Sequence, residues 1–72
     1  MALQISVSPS GQGWAIRSEA FDNEILFPNG GKAEASARRL AQSYAQAGQP
    51  AEVSIYLRDG ALAGRFLHQR GL

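Results

Sequence analysis

The chain has 72 residues and a formal net charge of +1, which predicts a single domain over residues 1–72 and excludes a strongly basic nucleic-acid binder. It contains no cysteine, which excludes disulfides and a thiolate zinc site. Hydrophobic residues make up 44% of the sequence and charged residues 18%, a composition that excludes a disordered chain.

Alternating apolar and polar residues at the start of the chain predict a hairpin of two strands. Every second residue is apolar in LQISVS, and WAIRSE resumes the pattern after PSGQG, whose proline and glycines predict a loop. This period of two is typical of half-buried strands. Pairing Val7 with Trp14 aligns Ile5 with Ile16 and gives both strands one apolar face.

The middle of the chain predicts a third strand followed by a helix. The third strand is EILF, which Pro28 ends because proline cannot donate to a strand ladder. From Lys32 to Ala47 the apolar residues recur at the spacing of one helix face. We expect Asn29 or a neighbour to cap this helix and Gly48 to take the left-handed conformation after it. The predicted apolar stripe contains Ala33, Ala37, Leu40, Ala41 and Tyr44.

The last predicted element is a hairpin within EVSIYLRDGALAGRFL. Asp59-Gly60 favours a two-residue turn in which both central residues have positive φ. The apolar residues of both strands then share one face, and Tyr56, Arg58 and Arg65 share the other. The predicted partners are Leu57 with Leu62, Ile55 with Gly64 and Val53 with Phe66.

Together these elements predict an α+β fold in the order β-β-β-α-β-β, an antiparallel sheet with one α-helix packed on one face. The other face is expected to be solvated or to lie against a second copy. No apolar run reaches the roughly 20 residues of a membrane span, and the start of the chain lacks a signal peptide pattern. We therefore expect a cytoplasmic protein without a membrane partner.

Four residues form the candidate partner-binding face: Arg17, Tyr56, Arg58 and Arg65. If their strands are neighbours, these side chains lie together on the outward side of the sheet. Arginine beside an aromatic ring can stack bases and hold phosphates, and the same residue types are enriched in protein interfaces. A solvated polar face is the third interpretation. Because the net charge is near zero, protein partners are favoured over nucleic acid.

Gly30, Gly31 and Lys32 form a candidate anion site at the start of the helix. A common phosphate loop needs serine or threonine after the lysine, but Ala33 stands there, and no glycine lies five residues before Gly31. What remains is the general affinity of free N–H groups at a helix start for an anion. The alternative is that the two glycines only turn the chain from strand to helix.

No residue set predicts catalysis or a cofactor. His68 has no predicted acid or nucleophile partner, so we expect an exposed histidine at the end of a strand. Glu19, Asp22 and Glu24 lack the spacing of a metal site and are expected to form a solvated acidic edge. The sequence therefore predicts no enzyme activity, no cofactor and no metal.

Three segments resemble the small bacterial proteins grouped as domain of unknown function 2188: GWAIR (13–17), KAEASARRLA (32–41) and VSIYLRDGALAGRF (53–66). Those proteins combine a strand, a G-W-x-V-K/R strand, an alanine-containing helix, an apolar strand, an R/K-D-G turn and a last strand. The resemblance covers most of the chain, although this chain has NGG before the helix and no glycine in RSEAF. It implies the same fold and no assigned activity.

We therefore expect a non-catalytic interaction module that associates with itself as a homodimer, or with another protein. A chain this short buries only about 60% of the surface that it exposes when unfolded, and association would cover more. The alternative is a nucleic-acid-binding module that uses the sheet face and the basic second half of the chain. That half contains five arginines, Arg38, Arg39, Arg58, Arg65 and Arg70.

Overall fold

The computed structural model describes residues 1–69, and within them it contains one helix and one five-stranded sheet. This arrangement confirms the predicted α+β class and the single helix. Arg70, part of the predicted basic second half, lies outside the described residues. In chain order the elements are β1 (Leu3–Ser10), β2 (Gly13–Ser18), β3 (Ile25–Phe27), α1 (Gly30–Gln46), β4 (Ala51–Tyr56) and β5 (Leu62–His68).

The sheet is mixed, so the prediction of an antiparallel sheet was wrong. Its strands lie in the order β3-β2-β1-β4-β5, which differs from their order along the chain. β1 and β4 pair in parallel, and the other neighbours are antiparallel. β3 has only three residues, whereas β1 has eight. The edge of β1 that does not pair with β2 is therefore the longer one available to β4. The long connection through β2, β3 and α1 allows β4 to run in the same direction as β1.

The first hairpin is tighter than predicted, and its register differs by two residues. Val7 lies opposite Ile16, and Trp14 lies opposite Pro9. The predicted loop PSGQG was therefore wrong, since β1 continues through Ser10 and a short turn follows in which Gly11 has a φ of +58°. Because side chains alternate with a period of two, this shift leaves every residue on its predicted face.

In the second hairpin, the pairing far from the turn is confirmed. Ile55 lies opposite Gly64, and Val53 lies opposite Phe66. Nearer the turn the prediction was wrong, because the register shifts between Ile55 and Tyr56 and places Leu62 opposite Tyr56. Leu62 thus shares the face of Tyr56, away from the core.

The turn of this hairpin explains the shift. The N–H of Leu57 donates to the carbonyl of Ala61 at 2.8 Å, and the N–H of Gly60 donates to the carbonyl of Leu57 at 2.9 Å. The loop thus contains residues 58–60 instead of two residues. A two-residue turn of the predicted type needs positive φ at Asp59 as well as Gly60, but among these residues only Gly60 has it, at +89°. Asp59 instead accepts the N–H of Ala61 through its carboxylate at 2.9 Å.

The core lies between α1 and one face of the sheet. Its largest fully buried side chains are Ile5, Val7, Ile16 and Val53, each worth about 1.5–3 kcal/mol of apolar burial. The helix contributes a stripe of small residues, which allows it to lie close to the strands. Leu40, Tyr44 and Ile55 pack against this cluster, as predicted, whereas Leu57 is 48% exposed and lies outside it. The buried residues of the helix are Ala33, Ala37, Ala41 and Ala45.

Both ends of α1 confirm the predicted signals. The side-chain oxygen of Asn29 accepts the backbone N–H of Lys32 at 2.8 Å, which satisfies one free donor of the first turn. After the helix, Gly48 has a φ of +95°, a conformation that residues with a side chain rarely adopt.

Candidate interaction surface

The outer face of the sheet, the face opposite α1, carries a row of four side chains across four strands. Arg17 lies opposite Ser6, Ser6 is aligned with Ser54, and Ser54 lies opposite Arg65. Adjacent strands are about 4.8 Å apart, so the two arginine backbones are about 14 Å apart. The two arginines therefore share the predicted face but lie at opposite ends of the row.

Each of these arginines has a carboxylate next to it. The Nε of Arg17 donates to Glu24 Oε2 at 2.6 Å, and the Nε of Arg65 lies 3.7 Å from Glu52 Oε1. Both arginine side chains are more than half exposed, so each ion pair contributes little to stability, about 0–1 kcal/mol. Their effect is to make this face close to neutral, which weakens it as a surface for phosphates.

Tyr56 lies on the same face and borders a shallow depression together with Arg17. The depression has a volume of about 400 Å³ and is lined mainly by small polar side chains, among them Ser6, Ser18 and Ser54. Serine hydroxyls with an adjacent tyrosine and arginine can accept a polar side chain of a partner. The Glu19 carboxylate also lines the depression, but within residues 1–69 it makes no hydrogen bond to a serine hydroxyl, so the depression shows no nucleophile paired with a base.

Arg58 does not join the other three predicted residues. Its guanidinium reaches the first hairpin turn and donates to the carbonyls of Gly11, Gln12 and Gly13 at 3.4, 3.2 and 3.5 Å. It also lies 5.5 Å from the centre of a ring of Trp14, within the range of a cation–π contact. Arg58 thus connects the tips of the two hairpins, which takes it away from the outer face.

At the helix start, packing explains the first of the two glycines. A Cβ on Gly30 would lie 3.1 Å from Cε2 of Trp14, so a side chain there would crowd the indole ring. The N–H of Lys32 is occupied by the side chain of Asn29, which leaves fewer donors for an anion. The Lys32 side chain is exposed. The anion site at Gly30, Gly31 and Lys32 stays a prediction.

Sequence reasoning missed a strip of exposed apolar side chains along β5 and the turn before it. Leu57, Leu62, Phe66 and Leu67 are between 36% and 51% exposed. β5 is the last strand of the sheet and pairs only with β4, so its other side, called here the β5 edge, has free backbone N–H and C=O groups within residues 1–69. The alternating pattern had placed three of these residues on the core face. Phe66 keeps that face at the rim of α1, Leu57 lies at the turn, and the register shift moves Leu62 to the outer face.

Phe66 at the centre of this strip is held from two sides. The guanidinium of Arg38 on α1 lies 4.0 Å from the centre of its ring. A Cβ on Gly64 would lie 3.1 Å from the same ring, so the ring lies over the glycine two residues earlier in the strand. Arg38 also lies 3.1 Å from Glu34, in the i, i+4 order that favours a weak ion pair on a helix. Phe66 is thus fixed in place although it is 36% exposed.

A groove of about 690 Å³ with a basic lining runs between α1 and the end of β5. Arg38, Arg39 and His68 line it together with amide and alanine side chains. The predicted exposed histidine is in fact half-buried here, and its Nε2 has no hydrogen-bond partner within residues 1–69. No carboxylate lines the groove, so His68 has no acid beside it for acid–base catalysis.

Comparisons of the chain with protein-family models, curated proteins and solved structures found no match. The resemblance to domain of unknown function 2188 therefore stays a prediction. Within residues 1–69, α1 is too short and too polar to cross a membrane. In the same residues, no three histidine, aspartate or glutamate side chains converge as a metal site would require.

Proposed function

We propose that this protein is a non-catalytic interaction module that associates with itself as a homodimer. The observation that carries the proposal is the strip of exposed apolar side chains beside the free β5 edge. A free strand edge is a template for pairing with another chain. Exposed apolar side chains that lie together mark interaction surfaces. In β5 both features occur on one element.

The small size of the core supports self-association. The helix contributes alanines to the core where larger side chains would bury more surface, and the chain has no cysteine to form a disulfide. Chains of this size are marginally stable alone. Binding to a second copy stabilises the folded state by mass action, so the exposed strip would serve both association and stability.

The opposite edge of the sheet offers a poorer docking surface, which favours β5. β3 has three residues and is followed by Pro28, and short strands and prolines are features that blunt edges. β5 has seven residues, and Arg65 is the one residue in it with a permanent charge. β5 therefore offers the longer run of unpaired backbone for pairing.

The shapes and linings of the depressions support a non-catalytic role. An enzyme site needs a concave pocket in which a nucleophile, a base or a metal set converges. The groove beside His68 contains cations and amides, and the depression beside Tyr56 contains hydroxyls together with Arg17 and Glu19. Both linings suit recognition of a partner's polar groups.

Sedimentation over a concentration series tests the proposal. We expect a dimer whose fraction rises with concentration. Leu67→Lys should shift it to monomer, because the lysine places a like charge near Arg65 and removes apolar contact area. Leu26→Lys on β3 is the matched control, a more exposed leucine at 65% on the opposite edge, and should leave the dimer unchanged. A strict monomer at every concentration would contradict the proposal.

The alternative proposal is a nucleic-acid-binding module. The groove lined by Arg38, Arg39 and His68 favours it, because it gathers part of the basic second half in one place. Binding would weaken steeply with salt, since neutralised phosphates release counterions. Affinity for mixed DNA and RNA should then fall in Arg38→Ala with Arg39→Ala, which line one groove, and less in Arg17→Ala with Arg65→Ala, which lie at opposite ends of the row on the outer face. Absence of binding at low salt would eliminate this alternative.

A further inference from the structure

We propose that the homodimer forms by antiparallel pairing of β5 with β5 of the second copy, centred on Phe66. The two five-stranded sheets would thereby join edge to edge into one sheet of ten strands (five from each copy). This inference rests on the proposed function, because it assumes that the chain self-associates. It adds which surface is buried and which residues meet.

Symmetry restricts the possible registers. We consider dimers in which the helices of both copies lie on the same side of the joined sheet. In such a two-fold dimer the axis passes between one residue of β5 and the same residue of the second copy, so these two residues lie opposite each other. The midpoint of β5, which runs from Leu62 to His68, is Arg65. A register centred there pairs the most residues, but it places two arginines directly opposite each other, which is destabilising.

The neighbouring registers are not equivalent. The ladder between β4 and β5 is irregular on the side of Gly64 that faces the turn, because the register shifts between Ile55 and Tyr56. A register centred on Gly64 would use this irregular part, whereas one centred on Leu67 would pair only the last three residues, 66–68, of β5. The register centred on Phe66 uses the regular part of the strand, Gly64–His68.

In this register the exposed side chains of the paired segment, Gly64–His68, cover one another. Phe66 faces Phe66 of the second copy on the helix side of the sheet, and aromatic pairs stabilise neighbouring strands. On the outer face, Arg65 lies opposite Leu67 of the second copy, and its aliphatic stem can cover that leucine while its guanidinium stays next to Glu52. The paired arginines therefore bring no unbalanced charge into the interface.

The edge contact is short, so we expect a weak dimer with a dissociation constant in roughly the micromolar range. The helices of the two copies would lie on the same side of the joined sheet. The groove of each copy beside Arg38 and His68 would then flank the β5–β5 seam, one on each side.

Single-cysteine variants test the register, because the natural chain has no cysteine. Opposed residues in antiparallel strands have Cα atoms about 4.5–5.5 Å apart, within the range of a disulfide. Under oxidising conditions Phe66→Cys should form a disulfide-linked homodimer, whereas Leu26→Cys on β3 should form at least tenfold less.

A second measurement leaves Phe66 intact, in case its replacement weakens the dimer. Arg65→Cys mixed with Leu67→Cys should give the mixed disulfide in clear excess over either homodimer, and mass spectrometry of the intact proteins distinguishes the three products. The mixed disulfide together with the Phe66→Cys homodimer would support the register.

The two proposals fail in different ways. A dimer in sedimentation without the mixed disulfide would overturn the β5–β5 register and leave self-association standing. A strict monomer would overturn both proposals. Equal cross-linking by Leu26→Cys would also overturn the register, because it would show that the disulfides form by random collision.

Discussion

The two edge strands of the sheet, β3 and β5, differ in length, in charge and in how their aromatic residue packs. β3 has three residues and packs Phe27 against the core. β5 has seven residues, and its Phe66 lies under Arg38 at the rim of α1. The single helix packs mainly on β1, β2 and β4, and it reaches both edge strands less. Both edge strands leave apolar side chains exposed, Ile25 and Leu26 on β3 and Leu62, Phe66 and Leu67 on β5. The length of unpaired backbone is therefore what distinguishes the two edges.

The glycines beside the two edges differ in what a side chain at each position would contact. A Cβ on Gly13 would lie 2.5 Å from the carbonyl oxygen of Phe27, so β2 and β3 approach closely at this point. A Cβ on Gly64 would meet only the ring of Phe66, at 3.1 Å. At β3 the neighbour is backbone and cannot move without disturbing the ladder, whereas at β5 it is a side chain.

The largest expected effect comes from Gly13→Ala. It should lower the free energy of unfolding by about 2 kcal/mol, because the new methyl group forces the backbones of β2 and β3 apart. Urea denaturation at low protein concentration measures it. Gly31→Ala is the control, since its Cβ has ordinary contact with Asn29 at 3.5 Å and alanine suits a helix better than glycine. If both variants have equal stability, the close approach at β3 is unimportant.

Arg58→Ala should have the next largest effect, a loss of about 1 kcal/mol in the free energy of unfolding. It removes the hydrogen bonds to the first hairpin turn and the contact with Trp14. Arg65→Ala should cost less than about 0.5 kcal/mol, because an exposed ion pair contributes little. Thermal unfolding with tryptophan fluorescence follows both, and an equal loss in the two variants would contradict a specific role for Arg58.

The smallest expected effect is that of Leu67→Lys on the stability of the monomer. Urea denaturation at protein concentrations well below the dimer's dissociation constant measures it. The free energy of unfolding of this variant should stay within about 0.5 kcal/mol of that of the natural chain, as for most surface substitutions. The same limit applies to Leu26→Lys. Together with the sedimentation results, this separates loss of association from loss of fold; a large destabilisation would instead assign Leu67 to the monomer's own packing.

Local patterns predicted the elements of the fold well. The period of two in β1, β2 and β4, the helical spacing of the alanines and the cap at Asn29 all depend on residues close in sequence. The pairing of Val53 with Phe66 was also predictable, because it follows from alternation along two adjacent strands. These features need no knowledge of how distant segments meet.

Three features of the fold could not be predicted from local sequence patterns. The parallel pairing of β1 with β4 joins segments far apart in the chain, and alternation does not indicate its direction. Asp59 does not adopt the positive φ that a two-residue turn requires, which moved Leu62 to the outer face. Pro9 is tolerated within β1 because the ladder with β4 ends at Val7, so the proline's missing N–H removes no bond on that side.

The candidate site was predictable in part. Arg17, Tyr56 and Arg65 reach the outer face because alternation within each strand fixed their side. Arg58 did not, because it belongs to a loop and its partners lie 45 to 47 residues earlier. The β5 strip was missed because the register shift near the turn moved Leu62 to the outer face, and because an apolar pattern does not show whether the helix reaches far enough to cover Phe66.

The parallel ladder at the centre of the sheet also has a consequence for the order of folding. It pairs Leu3 with Ala51, residues separated by 51 − 3 = 48 positions, so it closes only after most of the chain has left the ribosome. Pairings of such long range slow folding, because the loop must be closed before any contact is gained. During synthesis the β1–β2 hairpin, whose residues are close in the chain, can form earlier than the ladder between β1 and β4.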